Sequence, residues 1–176
     1  MNKQPELTAL TRKTLIDTYF DIISKGEKAT VGAITTTAGF NRCTFYRYFT
    51  DTEQLLNQVE AVICGAFQSV LSQASLPISP LEIIEAFSDI YKQYGNYISV
   101  LLGENGDVRF ARKIKAVISP FAKQIIGDET DSDEVAELKV EFILSAVLAL
   151  VTKWYDMKQP VPISQLGMII KDFLHQ

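Results

Sequence analysis

Between Thr30 and Phe49 the chain reads TVGAITTTAGFNRCTFYRYF, and little besides two short helices and a tight turn satisfies that order of residues. Val31, Ile34 and Ala38 fall at helical spacing and predict one apolar face. Gly39 then ends the pattern, because a residue without a Cβ enters a sharp interhelical turn at no steric cost. Asn41 is placed to cap the next helix, its side-chain oxygen accepting from an amide of the first turn. That second helix is expected from about Arg42 to Tyr48. With Phe45 turned to the core and roughly 100° added per residue, Phe49 lands on the inner side as well. Cys43 and Arg47 point away, Thr44 and Tyr46 flank them, and Arg42 and Tyr48 lie nearer the edges. The outer face is small, polar, aromatic and cationic, with no acid. Such a face suits a DNA major groove, where phosphates and base edges reward donors and repel carboxylates.

The run T-V-x-x-I-x-x-x-A-G-F-N-x-x-T-F-Y-x-Y-F-x-x-x-E-x-L, from Thr30 to Leu55, resembles the DNA-binding motif of the TetR family of transcriptional regulators. The F-Y-x-Y-F block after A-G is its most specific part. A core stripe alone does not account for that block, because Tyr46 lies about 100° off the Phe45 direction. The resemblance implies an all-α fold of about nine helices. A three-helix, helix-turn-helix DNA-binding domain would occupy residues 1–52, and a helical regulatory and dimerisation domain residues 53–176. It also implies that Thr30 meets a phosphate through its hydroxyl and the free amides of the helix start. Three positions depart from the family pattern. Gly32 stands where a long polar or basic residue often reaches a base, Thr35 where a small Ala is usual, and Thr52 where a Lys often touches phosphate. The departures bear on affinity and base readout more than on the fold. The DNA-contacting set expected is Thr30, Gly32, Asn41, Arg42, Cys43, Thr44, Tyr46, Arg47, Tyr48 and Thr52.

Net charge is −4, and it is unevenly shared. Through Thr50, seven basic residues (Lys3, Arg12, Lys13, Lys25, Lys28, Arg42, Arg47) face four acidic ones (Glu6, Asp17, Asp21, Glu27). From Asp51 onward ten basic residues face seventeen acidic ones. The asymmetry assigns any nucleic-acid surface to the N-terminal part. The excess there is mild, so DNA binding is expected to need two copies acting together. Arg12 and Lys13 at the start of the first helix are candidates for phosphate contacts, with a solvated basic turn as the plainer reading.

Other classes are disfavoured. Two cysteines without CxxC spacing and a lone His175 argue against a zinc site or a disulfide scaffold. No nucleophile–base pair or phosphate loop appears, so no enzyme and no cofactor is expected. Neither a secretory signal nor a long apolar run is visible, which points to the cytoplasm and away from membranes. The acidic stretch at positions 127–133, GDETDSD, lacks the Gly and distal Glu of an EF-hand and reads as a solvated loop.

The remaining helices follow from periodicity and punctuation. Leu7 to Lys25 reads as the first helix, stopped by Gly26. Thr50-Asp51-Thr52-Glu53 is a T-x-x-E capping box opening a helix to about Gln73. A linker, Leu76 to Pro80, precedes a second box at Ser79 to Glu82, and a helix expected to break or kink at Gly95-Asn96. A short helix from Tyr97 to Leu102 and a turn-rich loop lead to a helix over Val108 to Ile126, with Pro120 as a kink. The motif Y-x-x-V-L-L-G-E-N-G-D-x-x-F resembles a C-terminal domain of TetR-like proteins from low-GC Gram-positive bacteria, some similar to a dihydroxyacetone-kinase activator.

Glu134 to Met157 makes a long helix whose centre, FILSAVLALV, is apolar nearly all round. Such a helix is buried on more than one side. The resemblance implies that it and the last helix, Ile163 to Leu174, form a four-helix dimer bundle. Ile143, Val147, Leu150 and Val151 are the expected dimer face, where a charge at Val147 would break the dimer. Phe67, Phe87, Tyr91, Tyr94, Tyr97 and Trp154 are candidates for an effector pocket. The function expected is a homodimeric, ligand-responsive, sequence-specific DNA-binding regulator, a repressor on a near-palindromic operator. The alternative is an interaction protein or co-activator that pairs with a related regulator and does not read DNA itself. Gly32 and Thr52 speak for that alternative.

Overall fold

The computed structural model describes residues 3–74, 80–126 and 130–174, with side chains over 6–74, 87–126 and 130–173. These residues form eight helices and no strand. They are α1 (Lys3–Ser24), α2 (Val31–Ala38), α3 (Arg42–Tyr46), α4 (Thr52–Gln73), α5 (Pro80–Leu102), α6 (Val108–Ile126), α7 (Asp133–Asp156) and α8 (Ile163–Leu174). None of the described helices is long and apolar enough to cross a membrane. The chain divides into two compact units, Met1–Val62 with Glu104–Gly106, and Ile63–Gly103 with Asp107–Gln176. The division falls inside α4 rather than at its start, because Leu55, Leu56 and Val59 of the first half of α4 are buried core residues of the first unit.

In the first unit, Leu15, Ile16, Tyr19, Phe20 and Ile22 of α1 are buried, with Ile34 of α2 and Phe45 and Phe49 at α3 and beyond. Fully burying one such Phe contributes roughly 1.5–3 kcal/mol. The threonine run of α2 has poor helix propensity, and it is held from both ends. Thr30 caps the start, accepting from the Ala33 amide at 3.1 Å. Thr35 is buried, and its hydroxyl donates to the Val31 carbonyl at 2.8 Å, which explains how it serves where a small residue is usual. Gly39 closes the helix at φ 72°, and the Phe40 amide donates back to the Thr35 carbonyl at 2.8 Å.

The cap of α4 lies one residue beyond the expected box. The Gln54 amide donates to Asp51 Oδ1 at 2.7 Å, and Gln54 Oε1 accepts from the Thr50 amide at 2.8 Å. Asp51 and Gln54 close the first turn together with the Thr50 amide, since a carboxylate is a strong acceptor at a helix start.

In the second unit, α5 is one continuous helix where a break was expected, and the described residues form eight helices, close to the nine or so expected. Gly95 does not end it. A Cβ there would meet the Tyr91 ring at 3.0 Å, so this glycine makes room for an aromatic and leaves the helix intact. Asp107 caps α6, accepting from the Arg109 amide at 2.8 Å. The hydrogen bonds from Arg109 hold its carboxyl below the usual carboxylate range. Three residues on, Phe110 is fully buried, which gives the D-x-x-F motif its physical sense. Pro120 lies inside α6, and the helix continues past it to Ile126. Helices α6 and α7 share a core of Ala122, Val140 and Leu144, with Ile118 and Ile126 against it. Ser132 caps α7 through the Val135 amide, and Asp131 and Asp133 pair with Lys139 at 2.6 Å and Lys123 at 2.9 Å. Linker positions 76–79, with Ser79 of the second box, positions 127–129 and His175 lie outside the described residues.

Nothing lies within 4 Å of a Cβ built on Gly39, so its need is for backbone conformation alone. Gly39→Ala is expected to destabilise the chain by about 1–2 kcal/mol, and Gly39→Asn by less, because Asn visits the left-handed region more readily. Urea unfolding followed by circular dichroism checks the order of the two variants.

Candidate functional site

The α3 face is built by one buried ring and one cap. Phe45 is fully buried and tilts against Phe49, the ring centroids 5.5 Å apart. That anchor fixes the helix rotation. Asn41 fixes its start, with Oδ1 accepting from the Thr44 amide at 2.8 Å and from the Thr44 hydroxyl at 3.0 Å. The polar atoms of Asn41 and Thr44 are thereby engaged in the turn itself. Arg42, Cys43, Tyr46 and Arg47 are exposed, and Thr44 and Tyr48 are half-buried. The Tyr46 ring stands edge-on to Phe45 at 5.7 Å, so the phenol is carried outward on a fixed base. Helix α3 is shorter than expected, with Arg47 as its C-cap.

Gly32 and Arg42 belong together. A Cβ at Gly32 would lie 3.1 Å from a guanidinium nitrogen of Arg42 and 3.8 Å from Thr30 Oγ1. The Arg42 side chain crosses the first turn of α2 in the space that a longer residue at 32 would take. A cation thus stands where the family pattern often has one, supplied from α3. Arg42 and Arg47 form no ion pair among the described residues. A guanidinium beside a helix N-terminus works against the helix dipole, and an anion bound between them would be favoured by both.

The two cations of α1 are engaged within the chain. Arg12 donates to Gln58 Oε1 at 2.8 Å and lies over the Phe49 ring, 5.5 Å from its centroid. It ties α1 to α4 and covers the aromatic core. Lys13 pairs with Asp17 at 2.5 Å on the exposed side of its own helix. Thr52 is half-buried in the first turn of α4. The role of Arg12 was hidden because its partners are far away in sequence.

The second unit contains a cavity of about 140 Å³. Of the expected pocket residues, Phe67, Phe87, Tyr91 and Trp154 line it, and Tyr94 and Tyr97 do not. Phe67 meets Phe87 edge-on at 5.0 Å, and Tyr91 meets Trp154 at 5.2 Å. The aromatics make only part of the wall, and Ile98, Leu102, Ile114 and Ile118 add aliphatic side chains to it. The signal available was the four-residue spacing of Phe110, Ile114 and Ile118, which starts at the Phe of the D-x-x-F motif.

The outer side of α7 also differs from the expected one. Val147 and Val151 line the cavity, and Ile143 and Leu150 are half-buried. The exposed stripe is Leu138, Phe142, Ala146 and Ala149, with Leu138 70% and Phe142 75% exposed. On α8, Met168, Ile169 and Phe173 are exposed as well. A helix apolar all round does not reveal in sequence which side turns inward, and here Val140, Leu144, Val147 and Val151 are the side chains that do. A charge at Val147 would therefore perturb the cavity, and Phe142 is the position that tests the outer surface.

Comparison with known proteins agrees with this architecture. A family model described as "Transcriptional regulator C-terminal region", of TetR type, matches residues 79–176, more than half of the chain. The fold is similar to that of a TetR transcriptional regulator from Streptococcus agalactiae 2603V, with TM-score 0.68 and 16% identity over 97% of each chain. It is also similar to the fatty acid degradation regulator FadR from Bacillus halodurans, with TM-score 0.66 and 16% identity over 93% of this chain and 94% of that one. No curated protein sequence matches the chain.

Arg12→Ala is expected to lower stability by about 1 kcal/mol through the lost hydrogen bond and cation–π contact. Lys13→Ala is expected to leave stability unchanged, since exposed i,i+4 pairs contribute little. Denaturant midpoints of the two variants make the comparison, and equal midpoints would refute the role assigned to Arg12.

Proposed function

Because the chain belongs to the TetR family of transcriptional regulators, we propose that it is a homodimeric, ligand-responsive repressor that reads DNA through α3. The observation that carries this reading is the α3 face. Arg42, Cys43, Tyr46 and Arg47 are exposed together, no acid lies among them, and Phe45 locks their direction. In a groove, Arg47 would reach a guanine edge or a phosphate, and Tyr46 a phosphate. Thr30 and the first amides of α2 would take another phosphate, with Arg42 across them.

Two cations on a short helix give weak binding alone, which is the reason for two copies. In a symmetric dimer the two α3 helices would enter major grooves about 35 Å apart, on a near-palindromic operator in the cytoplasm. The exposed stripe of α7 and the apolar face of α8 supply a surface for that pairing, since a contiguous apolar face of this kind marks an interaction site. An effector in the second-unit cavity would favour one dimer geometry over the other through α4, which carries Phe67.

A second reading keeps the fold and the dimer but has no DNA contact of its own, acting as a partner of a related regulator. The Thr at position 52 and the modest charge of the N-terminal part favour it. Arg42 beside Gly32 counts against it. A gel shift of the pure protein on DNA from upstream of its own gene separates the readings: a salt-sensitive shift supports the repressor, and none at low salt supports the partner protein.

Arg47→Ala is expected to weaken the shift by about 1–3 kcal/mol with folding intact. Unchanged affinity would move the reading surface off α3. Phe142→Arg is expected to give a monomer or an aggregate by sedimentation, and to abolish the shift, because it buries an unpaired charge in the interface. A stable dimer that still binds would place the pairing surface elsewhere.

A further inference from the structure

The kind of molecule the second-unit cavity can hold follows from where the polar tips of its aromatic walls go. Trp154 Nε1–H donates to the Val161 carbonyl at 2.8 Å, and the Tyr91 hydroxyl donates to Gln159 Oε1 at 2.9 Å. Both acceptors lie in the connection between α7 and α8, where Lys158 and Gln159 each hold φ at 58°. The connection thus takes up the donors of both rings and leaves their faces to the interior. Burial pushes the pKa of Tyr155 up, so that phenol stays neutral. Among the described residues the wall presents apolar atoms only.

Volume and polarity together decide what such a space accepts. A buried water needs two to four polar partners, and a dry apolar cavity of about 150 Å³ binds benzene or xenon. This one measures about 140 Å³ and provides no such partner among the described residues. An ion or a polyol would lose its hydration and gain no hydrogen bond in return. A neutral ring would exchange water for dispersion contacts with the apolar wall.

Resting on the effector reading above, we propose that the cavity bounded by Phe67, Tyr91, Phe110, Val147 and Trp154 binds a neutral apolar molecule the size of one aromatic ring, such as an alkylbenzene. Its contacts give it two levers. Phe67 belongs to α4, and Tyr91 and Trp154 hold the connection that leads into α8. A guest that shifts these rings acts on the helix continuing into the first unit and on the helix with the exposed face.

Trp154 is the single tryptophan of the chain, so its emission reports occupancy directly. The full chain is titrated with toluene, and in parallel with benzoate and benzylammonium, which carry the same ring with a charge. The expected result is a saturable change with toluene and binding at least about tenfold weaker for either ion. Val147→Phe and Val151→Phe fill the cavity and are expected to weaken toluene binding by about tenfold or more, with helical circular dichroism unchanged. Absence of saturation with toluene, equal binding of either ion, or unchanged toluene affinity in both folded variants overturns the proposal. If neither variant folds, the comparison of toluene with the ions decides alone. A gel shift on the same samples keeps the two readings apart. A chain that takes toluene but shifts no DNA retains the cavity assignment and removes the repressor, and one that shifts DNA but ignores toluene does the reverse.

Discussion

The second unit depends on one constraint, that a helix apolar on every side must be covered on every side. The inner side of α7 is covered twice. Val140 and Leu144 pack on Ala122 of α6, and further along Val147 and Val151 face the cavity with Trp154. The outer side, Leu138 to Ala149, has no such cover, and Phe142 stands 75% exposed. Exposing large apolar side chains in a row is unfavourable by about 25 cal/mol for each Å². A second copy offers the same stripe, and self-complementary pairing is the commonest way to cover one. Val140, Leu144, Val147 and Val151 on one side, with Leu138 and Phe142 on the other, thus divide α7 between the interior of its own unit and an exposed apolar face.

The helix-turn-helix was legible in the sequence because its determinants are local. Gly39 needs a positive φ, Asn41 needs an amide three residues on, and Phe45 and Phe49 need to be inside. Each of these needs is met within about one turn of chain. The parts that were not legible are those set by distant partners. Arg12 finds Gln58 and Phe49, and no short window of sequence contains that arrangement. Gly95 reads as a helix breaker until the Tyr91 ring is placed beside it. Gly32 reads as a lost contact until Arg42 is seen crossing it. In these last two cases the missing side chain serves a neighbour, which single-residue propensities cannot express.

The cavity shows the same division. Its aromatics were visible in composition, but which faces they present was not. That depends on the α7–α8 connection, where Lys158 and Gln159 adopt the left-handed region at a cost of about 1–2 kcal/mol per residue. The connection offsets this strain with the hydrogen bonds from Trp154 and Tyr91, and with the Gln159 amide donating to the Trp154 carbonyl at 2.9 Å. Polar edges held outward and apolar faces held inward are one arrangement seen from two sides.

The sparse charge of the α3 face gives the exposed stripe its importance in the proposed mechanism. Each Lys or Arg that neutralises a phosphate releases counterions, so affinity rises with the number of contacts made at once. In that proposal one copy would bring Arg42 and Arg47 and a few uncharged donors, which is a small number of phosphate contacts. In the proposed dimer, two copies joined through α7 and α8 would convert the second half-site into an intramolecular encounter at high effective concentration. Affinity then depends steeply on whether both faces reach their grooves together. A ligand need not touch α3 to release such a protein from DNA. It need only favour a geometry in which one half-site is engaged, and the remaining contacts are too few to persist.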